Sequence, residues 1–267
     1  MTKTIMLIHG AWLNSASWAG FKARYEAKGY TVVAPDWPYD DRTPAELRRA
    51  PAPELARLGQ VAIFDHYDRL IRALPEEPIL IGHSLGGVIT QHLLDRGLGV
   101  VGVAINPAPT PGVPLGPHAI VSALPVFSDL FSWKKSKVMS RKFFAERFAQ
   151  TAPRDQVVAL YDRFIVPTPG KVYWDGVTGA SGRINWKNPK RAPLLLIGGE
   201  LDLIADASMT RGIYNKQKQA PSRTDLKIFE GRSHWTGIDA GWEAVADYAL
   251  DWAVEHQRSP ARVETVV

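Results

Sequence analysis

Three residues far apart in the chain, Ser84, Asp202 and His234, have the side chains that nucleophilic acyl transfer requires. A serine hydroxyl is a weak nucleophile near neutral pH. It needs a base within hydrogen-bond reach, and the base needs a third group to orient it. Ser84 stands in Gly82-His83-Ser84-Leu85-Gly86, a G-x-S-x-G pattern in which a sharp strand-to-helix turn strains the serine backbone and exposes its hydroxyl. Three fixed residues recur by chance in about one chain in ten of this length, so the pentapeptide counts only through its setting. That setting fits. Ile79-Leu80-Ile81 is the unbroken apolar run of a strand covered on both faces, and Leu85, Val88, Ile89 and Leu93 follow at helical spacing. A Cβ at position 82 or 86 would collide with neighbouring backbone at so tight a corner.

The base must come from another strand end. His66, His92 and His256 fall within helical patterns, and His118 lies in an irregular region. His234 follows the last strand, in Phe229-Glu230-Gly231-Arg232-Ser233-His234-Trp235, at the same carboxyl edge as Ser84. Carboxylates gather past the preceding strand, in Gly199-Glu200-Leu201-Asp202, with Asp206 beyond. Asp202 is chosen because Glu200 sits too near the strand end and Asp206 suits the first turn of the next helix.

The elements that would position these residues alternate. β-rich runs at 4–8, 31–34, 79–81 and 100–105 are separated by helical patterns at 17–28, 53–74 and after Ser84. The rhythm resumes with strands at 193–197 and 226–229 and helices at 205–218 and 238–256. This predicts an α/β fold with a mostly parallel, doubly wound sheet of about six strands and right-handed crossovers. Residues 1–107 and 192–257 form its core, 258–267 a loose tail, and 108–191 an inserted helical lid with helices near 119–133, 138–150 and 154–164. The insertion is rich in aromatics. Trp133 and Phe144 from it, with Trp12 and Trp235 beside the three chemical residues, are the candidate substrate contacts.

Composition narrows the function. With 267 residues, 45% of them hydrophobic, the chain can bury a large core. A net charge of +5 spread along the sequence leaves no footprint for nucleic acid. The absence of cysteine removes disulfides and thiol catalysis and fits a reducing cytoplasm, which is the expected location. No apolar stretch has the length of a membrane span or signal-peptide core, and no spacing of metal ligands occurs. The partner expected is a small-molecule substrate, with no cofactor and no metal, and with monomer and homodimer both open.

The order Ser84, Asp202, His234 resembles that of the α/β-hydrolase superfamily, and the resemblance spans nearly the whole chain. His9-Gly10, Gly82 to Gly87, Gly199 to Asp202 and Ser233-His234 carry it, in the manner of serine esterases and lipases. The resemblance implies an oxyanion hole from the backbone N–H groups of Ala11 and Leu85, a structural His9, and no proton-transfer role for His83. It also implies that Asn106 stands where some relatives place the acid. Two departures stand out: the chain opens almost at the family's usual third strand, and the loop after Asp36 lacks a glycine-rich turn. His9-Gly10-Ala11-Trp12 looks like the group holding methyl esterases and hydroxynitrile lyases. The expected activity is hydrolysis of a carboxylic ester with an apolar or aromatic group. Thioester, lactone, amide, perhydrolase or lyase chemistry on the same residues, and a non-catalytic small-molecule receptor, are the alternatives.

Overall fold

The computed structural model describes residues 1–258. Strands β1 (Thr4–Ile8), β2 (Thr31–Val33), β3 (Ile79–His83), β4 (Val101–Ile105), β7 (Leu194–Gly199) and β8 (Thr224–Phe229) form one sheet in the order β2-β1-β3-β4-β7-β8. Every pairing in it is parallel. Two short strands, β5 (Ser136–Lys137) and β6 (Thr168–Pro169), pair antiparallel outside it.

The apolar runs form strands because both faces are covered. Met6, Ile8, Leu80, Ala104, Leu194 and Leu196 enter one core, while Ile5, Leu7, Ile79, Ile81, Val103 and Leu195 enter the other. Helices α3 (Gln60–Arg72), α4 (Leu85–Asp95) and α9 (Ala207–Gln217) cover the first face, and α1 (Ala19–Ala27) and α10 (Trp242–His256) the second. Each fully covered Leu or Ile contributes about 1.5–3 kcal/mol. The strands beneath the site are therefore anchored by burial on both faces.

Several boundaries differ from the sequence expectation. The helix expected over 53–74 divides into a tight turn at Pro53–Arg57 and α3. The loop after Asp36 holds a further helix, α2 (Pro44–Arg49), whose capping box joins Thr43 and Glu46. At the sheet edge β8 begins at Thr224 because polar residues pair there as readily as apolar ones.

Between β4 and β7 the chain builds α5 (Pro117–Phe127), α6 (Arg141–Phe143), α7 (Val157–Phe164) and α8 (Lys171–Thr178). The helix expected over 119–133 stops at Phe127, and the one over 138–150 shrinks to α6 running into a single π turn at Phe144–Phe148. Neither α8 nor the β5–β6 ladder is foreshadowed in the sequence, since elements this short leave little periodic pattern. Of the expected tail, residues 259–267 lie outside the described residues. Arg258 is anchored, its N–H donating to the Val100 carbonyl at 3.0 Å. Among the described residues no helix is long and apolar enough to cross a membrane.

Candidate active site

The strand order reverses direction at β1, which pairs with β2 on one side and β3 on the other. In open α/β sheets the crevice beyond the carboxyl ends at such a switch point is where ligands bind. Gly10 and Ser84 leave β1 and β3 into that crevice. They pack so closely that a Cβ on Gly10 would lie 2.7 Å from Ser84 Cβ. Ser84 adopts φ 56°, ψ −120°, a left-handed conformation costing of order 1–3 kcal/mol in a residue with a side chain. The surroundings hold it there. Its N–H donates to the Ile105 carbonyl at 2.9 Å, and its own carbonyl accepts from Gly87 at 2.9 Å and Ala108 at 3.0 Å. Glycine is required on either side, because a Cβ at 82 would strike the Gly86 carbonyl and one at 86 the Ile8 carbonyl.

His234 and Asp202 meet in the interior. The His234 Nδ1–H donates to Asp202 Oδ2 at 2.7 Å, and both side chains are fully buried. Asp202 Oδ1 accepts from the N–H groups of Ile204 at 2.7 Å and Ala205 at 2.8 Å, so the carboxylate is pinned from both oxygens. With Nδ1 committed as donor, the neutral ring leaves Nε2 as an acceptor. Nε2 is buried and hydrogen-bonds neither to Ser84 nor to any other described residue. Serine–histidine contacts are often long without substrate and tighten on binding.

Asn106, at the end of β4, clamps the loop that carries His234. Its Nδ2 donates to the carbonyls of Ser233 (3.0 Å) and His234 (3.3 Å) and to Thr236 Oγ1 (3.1 Å), while its Oδ1 accepts from Gly199 N–H at 2.8 Å. At φ 44° it occupies a region that asparagine tolerates better than most residues. One amide thus ties β4, β7 and the histidine loop together. Asn106→Ala should cost about 3–5 kcal/mol in urea unfolding, because buried donors and acceptors are left unpaired. His83 works alongside it: its Nε2 bonds to the His234 carbonyl at 2.8 Å and its ring lies 4.8 Å from that of His234. His9 stacks on Trp37 and accepts the Trp37 N–H at 3.2 Å.

Among the described residues, the backbone N–H groups of Ala11 and Leu85 donate to no protein acceptor, and both residues line the same cavity as Ser84. The neighbouring N–H of Trp12 is taken. Thr168 Oγ1 accepts it at 2.5 Å, and the Trp12 carbonyl accepts from Val166 N–H at 3.0 Å. Trp12 itself sits at φ 63°. The loop after β1 is therefore held in place by the segment leading into β6.

The cavity over Ser84 has a volume of about 300 Å³ and a mostly apolar wall drawn from the β1 and β4 loops, α3, α5 and α8. A sequence model of the alpha/beta hydrolase family matches residues 5–248. The chain belongs to the alpha/beta hydrolase family. Its fold is similar to that of a monoacylglycerol lipase from Paleococcus ferrophilus (21% identity, 96% of each chain covered, TM-score 0.68). A methylesterase from Arabidopsis is also similar (16% identity, 94% of this chain and 99% of that one, TM-score 0.67). So is a pyrethroid hydrolase from Sphingobium faniae (18% identity, 95% and 98%, TM-score 0.65). No curated protein matches the sequence.

This alpha/beta hydrolase places only one of the four candidate substrate contacts on the cavity wall. Trp12 lines it, facing Tyr173 at 5.2 Å and Phe143 at 6.1 Å between ring centroids. Trp133 packs instead against Phe131 and Trp174. Trp235 meets Phe144, Phe148 and Phe164 edge to face, and Phe144 stacks on Phe148, in the core beside His234. Their bulk is spent on packing, which composition cannot distinguish from lining a pocket. The wall also contains residues that sequence reasoning does not single out, among them Gln60 and Thr110. Gln60 leaves a signal: it lies in register with the buried stripe Ile63, Phe64, Tyr67 and Ile71, an amide in an apolar row. The Gln60 Oε1, Thr110 Oγ1, Tyr173 hydroxyl and Trp12 Nε1 are all buried with no partner in the protein. Each such orphan costs about 1–3 kcal/mol.

Four buried groups give this hydrolase a defined pH response. Desolvation lowers His9 to about 4, His83 to about 3 and His92 to about 4. Burial, reinforced by the charges of Asp36 and Asp41, raises Asp40 to about 8. Below about pH 6.5 the unfolded chain binds three protons that the folded histidines refuse, while above about pH 4 folded Asp40 keeps one that the unfolded chain releases. Stability rises with pH wherever the unfolded state holds more protons. These groups therefore make it climb from about pH 4 to about 6.5, lost again as pH falls, and decline from there to about 8. Urea midpoints measured across that range should peak near pH 6.5, and Asp40→Asn should remove the decline on the alkaline side.

Proposed function

We propose that this chain is a serine ester hydrolase working through an acyl-enzyme on Ser84. Ser84 Oγ attacks the ester carbonyl and His234 Nε2 accepts its proton. Asp202 holds the Nδ1–H tautomer and stabilises the imidazolium that forms. The N–H groups of Ala11 and Leu85 receive the negative charge that develops on the carbonyl oxygen, which favours the transition state over the bound ester. Collapse expels the alcohol with the proton from His234, and a water activated by the same imidazole releases the acid.

One observation carries this reading: a serine strained at φ 56° stands on the wall of a largely apolar cavity, and a buried His234–Asp202 pair, its imidazole 4.8 Å from the ring of the adjoining His83, keeps one ring nitrogen unpartnered. The lipase, methylesterase and pyrethroid hydrolase of similar fold are named for hydrolytic activities, which supports the reaction class. Residues 108–191 serve in this reading as the cap that shapes the substrate space. A fluorophosphonate probe should add one phosphonyl group to the protein, on the peptide containing Ser84, and none to Ser84→Ala. Wild-type protein that stays unlabelled would remove Ser84 as nucleophile.

A further inference from the structure

From the wall of the cavity we infer that the ester this chain selects is uncharged and carries a free hydroxyl away from the bond that is cleaved, recognised by Gln60 and Tyr173. The inference rests on the esterase reading for the word ester; the recognition site itself stands on separate observations.

Among the described residues that line the cavity, none is Asp, Glu, Lys, Arg or His. A charged substrate would meet a mostly apolar wall with no counter-charge on it, so the wall selects neutral molecules. The same wall is not uniformly apolar. Gln60 is buried, and its amide is oriented by the protein: Nε2 donates to the Val172 carbonyl at 2.6 Å. A flipped amide would set oxygen against oxygen, so Oε1 is the atom left free, an acceptor with no donor in the protein. Gln60 is also fixed through its backbone, whose N–H donates to Asp175 Oδ2 at 2.9 Å. A Cβ on Gly176 would lie 3.1 Å from Gln60 Nε2, so the amide is closely packed against α8.

Tyr173, on the same helix, brings a hydroxyl that is buried and unpartnered, and burial pushes it well above the usual phenol range. It therefore acts as a neutral donor or acceptor. Both residues line the same cavity, and a ligand hydroxyl suits them because it can donate to Gln60 Oε1 and accept from a phenol, whereas an ether or ketone cannot satisfy the amide oxygen. Sites built to hydrogen-bond a hydroxyl discriminate strongly against analogues that lack it, since their own polar groups are then left unpaired.

The test is a ratio of specificity constants, kcat/KM, for a hydroxylated ester over its plain counterpart. One pair is p-nitrophenyl 6-hydroxyhexanoate over p-nitrophenyl hexanoate, and the other is 6-hydroxyhexyl butyrate over hexyl butyrate, so that either side of the ester is covered. Wild type, Gln60→Met and Tyr173→Phe are compared. In wild type at least one pair should favour the hydroxylated member by about tenfold or more, and both variants should reduce that preference at least about fivefold. Because each ratio is internal to one preparation, partial loss of folded protein cancels, and Tyr173→Phe removes a single oxygen. A wild type that favours the plain ester in both pairs, or ratios that stay within about twofold in both variants, would overturn the inference, the polar groups then being served by water. Should wild type hydrolyse no ester at all, the esterase reading fails by itself. The site is then read by calorimetry with 1,6-hexanediol and 1-hexanol. Relative affinity shifting toward hexanol by about tenfold in Gln60→Met sustains the site, and an unchanged ratio ends it.

Discussion

Ser84→Ala should lower kcat on p-nitrophenyl butyrate by about five to six orders of magnitude while KM moves little. The size follows from the proposed mechanism: without the hydroxyl no acyl-enzyme can form, and the acceleration left would come only from the proposed oxyanion donors and binding, roughly 10³–10⁴ over water. The fold should tolerate the change. Alanine pays the same penalty as serine at φ 56°, and the Ser84 side chain makes no hydrogen bond to any other described residue. Thermal unfolding should therefore match wild type within a few degrees. A variant retaining activity within about tenfold of wild type would mean that the chemistry lies elsewhere.

Asp202→Asn should cost about four orders of magnitude in kcat with the site's geometry preserved. The asparagine oxygen can still accept from Ile204 and Ala205, which anchors the side chain as before. Its NH₂ then faces His234 Nδ1, which must become the acceptor, and the ring proton moves to Nε2. A protonated Nε2 cannot take the serine proton. The neighbouring carboxylates supply the control. Glu200 Oε2 accepts from Gly231 N–H at 3.0 Å, and Asp206 Oδ2 accepts from Ala119 N–H at 3.0 Å, so both are engaged away from His234. Glu200→Gln and Asp206→Asn should hold kcat within about tenfold, since neither alters the imidazole. A collapse in Glu200→Gln matching that of Asp202→Asn would reassign the orienting acid.

Much of this architecture is legible in the sequence because strand ends leave strong marks. Ile79-Leu80-Ile81 stopping at Gly82 places a strand and its corner within a few residues, and the same sheet edge places His234 and Asp202. A local reading of Asp206 falls short. It stands at the head of α9, yet its carboxylate accepts from Ala119 on α5 and forms no cap of its own helix. Asn106 reads in sequence as the absence of an acid, whereas its four hydrogen bonds make it a clamp across three segments. Long-range partners of this kind have no local signature. The cavity wall is hidden for a different reason. Between β4 and β7 the helices are short, one holds an internal proline at Pro125 and another loosens into a π turn, so helical spacing does not report which face a side chain occupies.

The bond from Trp12 to Thr168 bears on how such proteins can be recombined. The stretch from Val166 to Thr168 belongs to the segment that would be exchanged in a swap of the proposed cap between relatives, yet it grips the loop that carries Ala11, the proposed oxyanion donor. If residues 108–191 act as the proposed cap, that cap is no detachable module. A chimera carrying a foreign cap needs a hydroxyl at position 168 and a backbone donor at 166 in the same register, or it inherits a new pocket together with a loosened Ala11 donor.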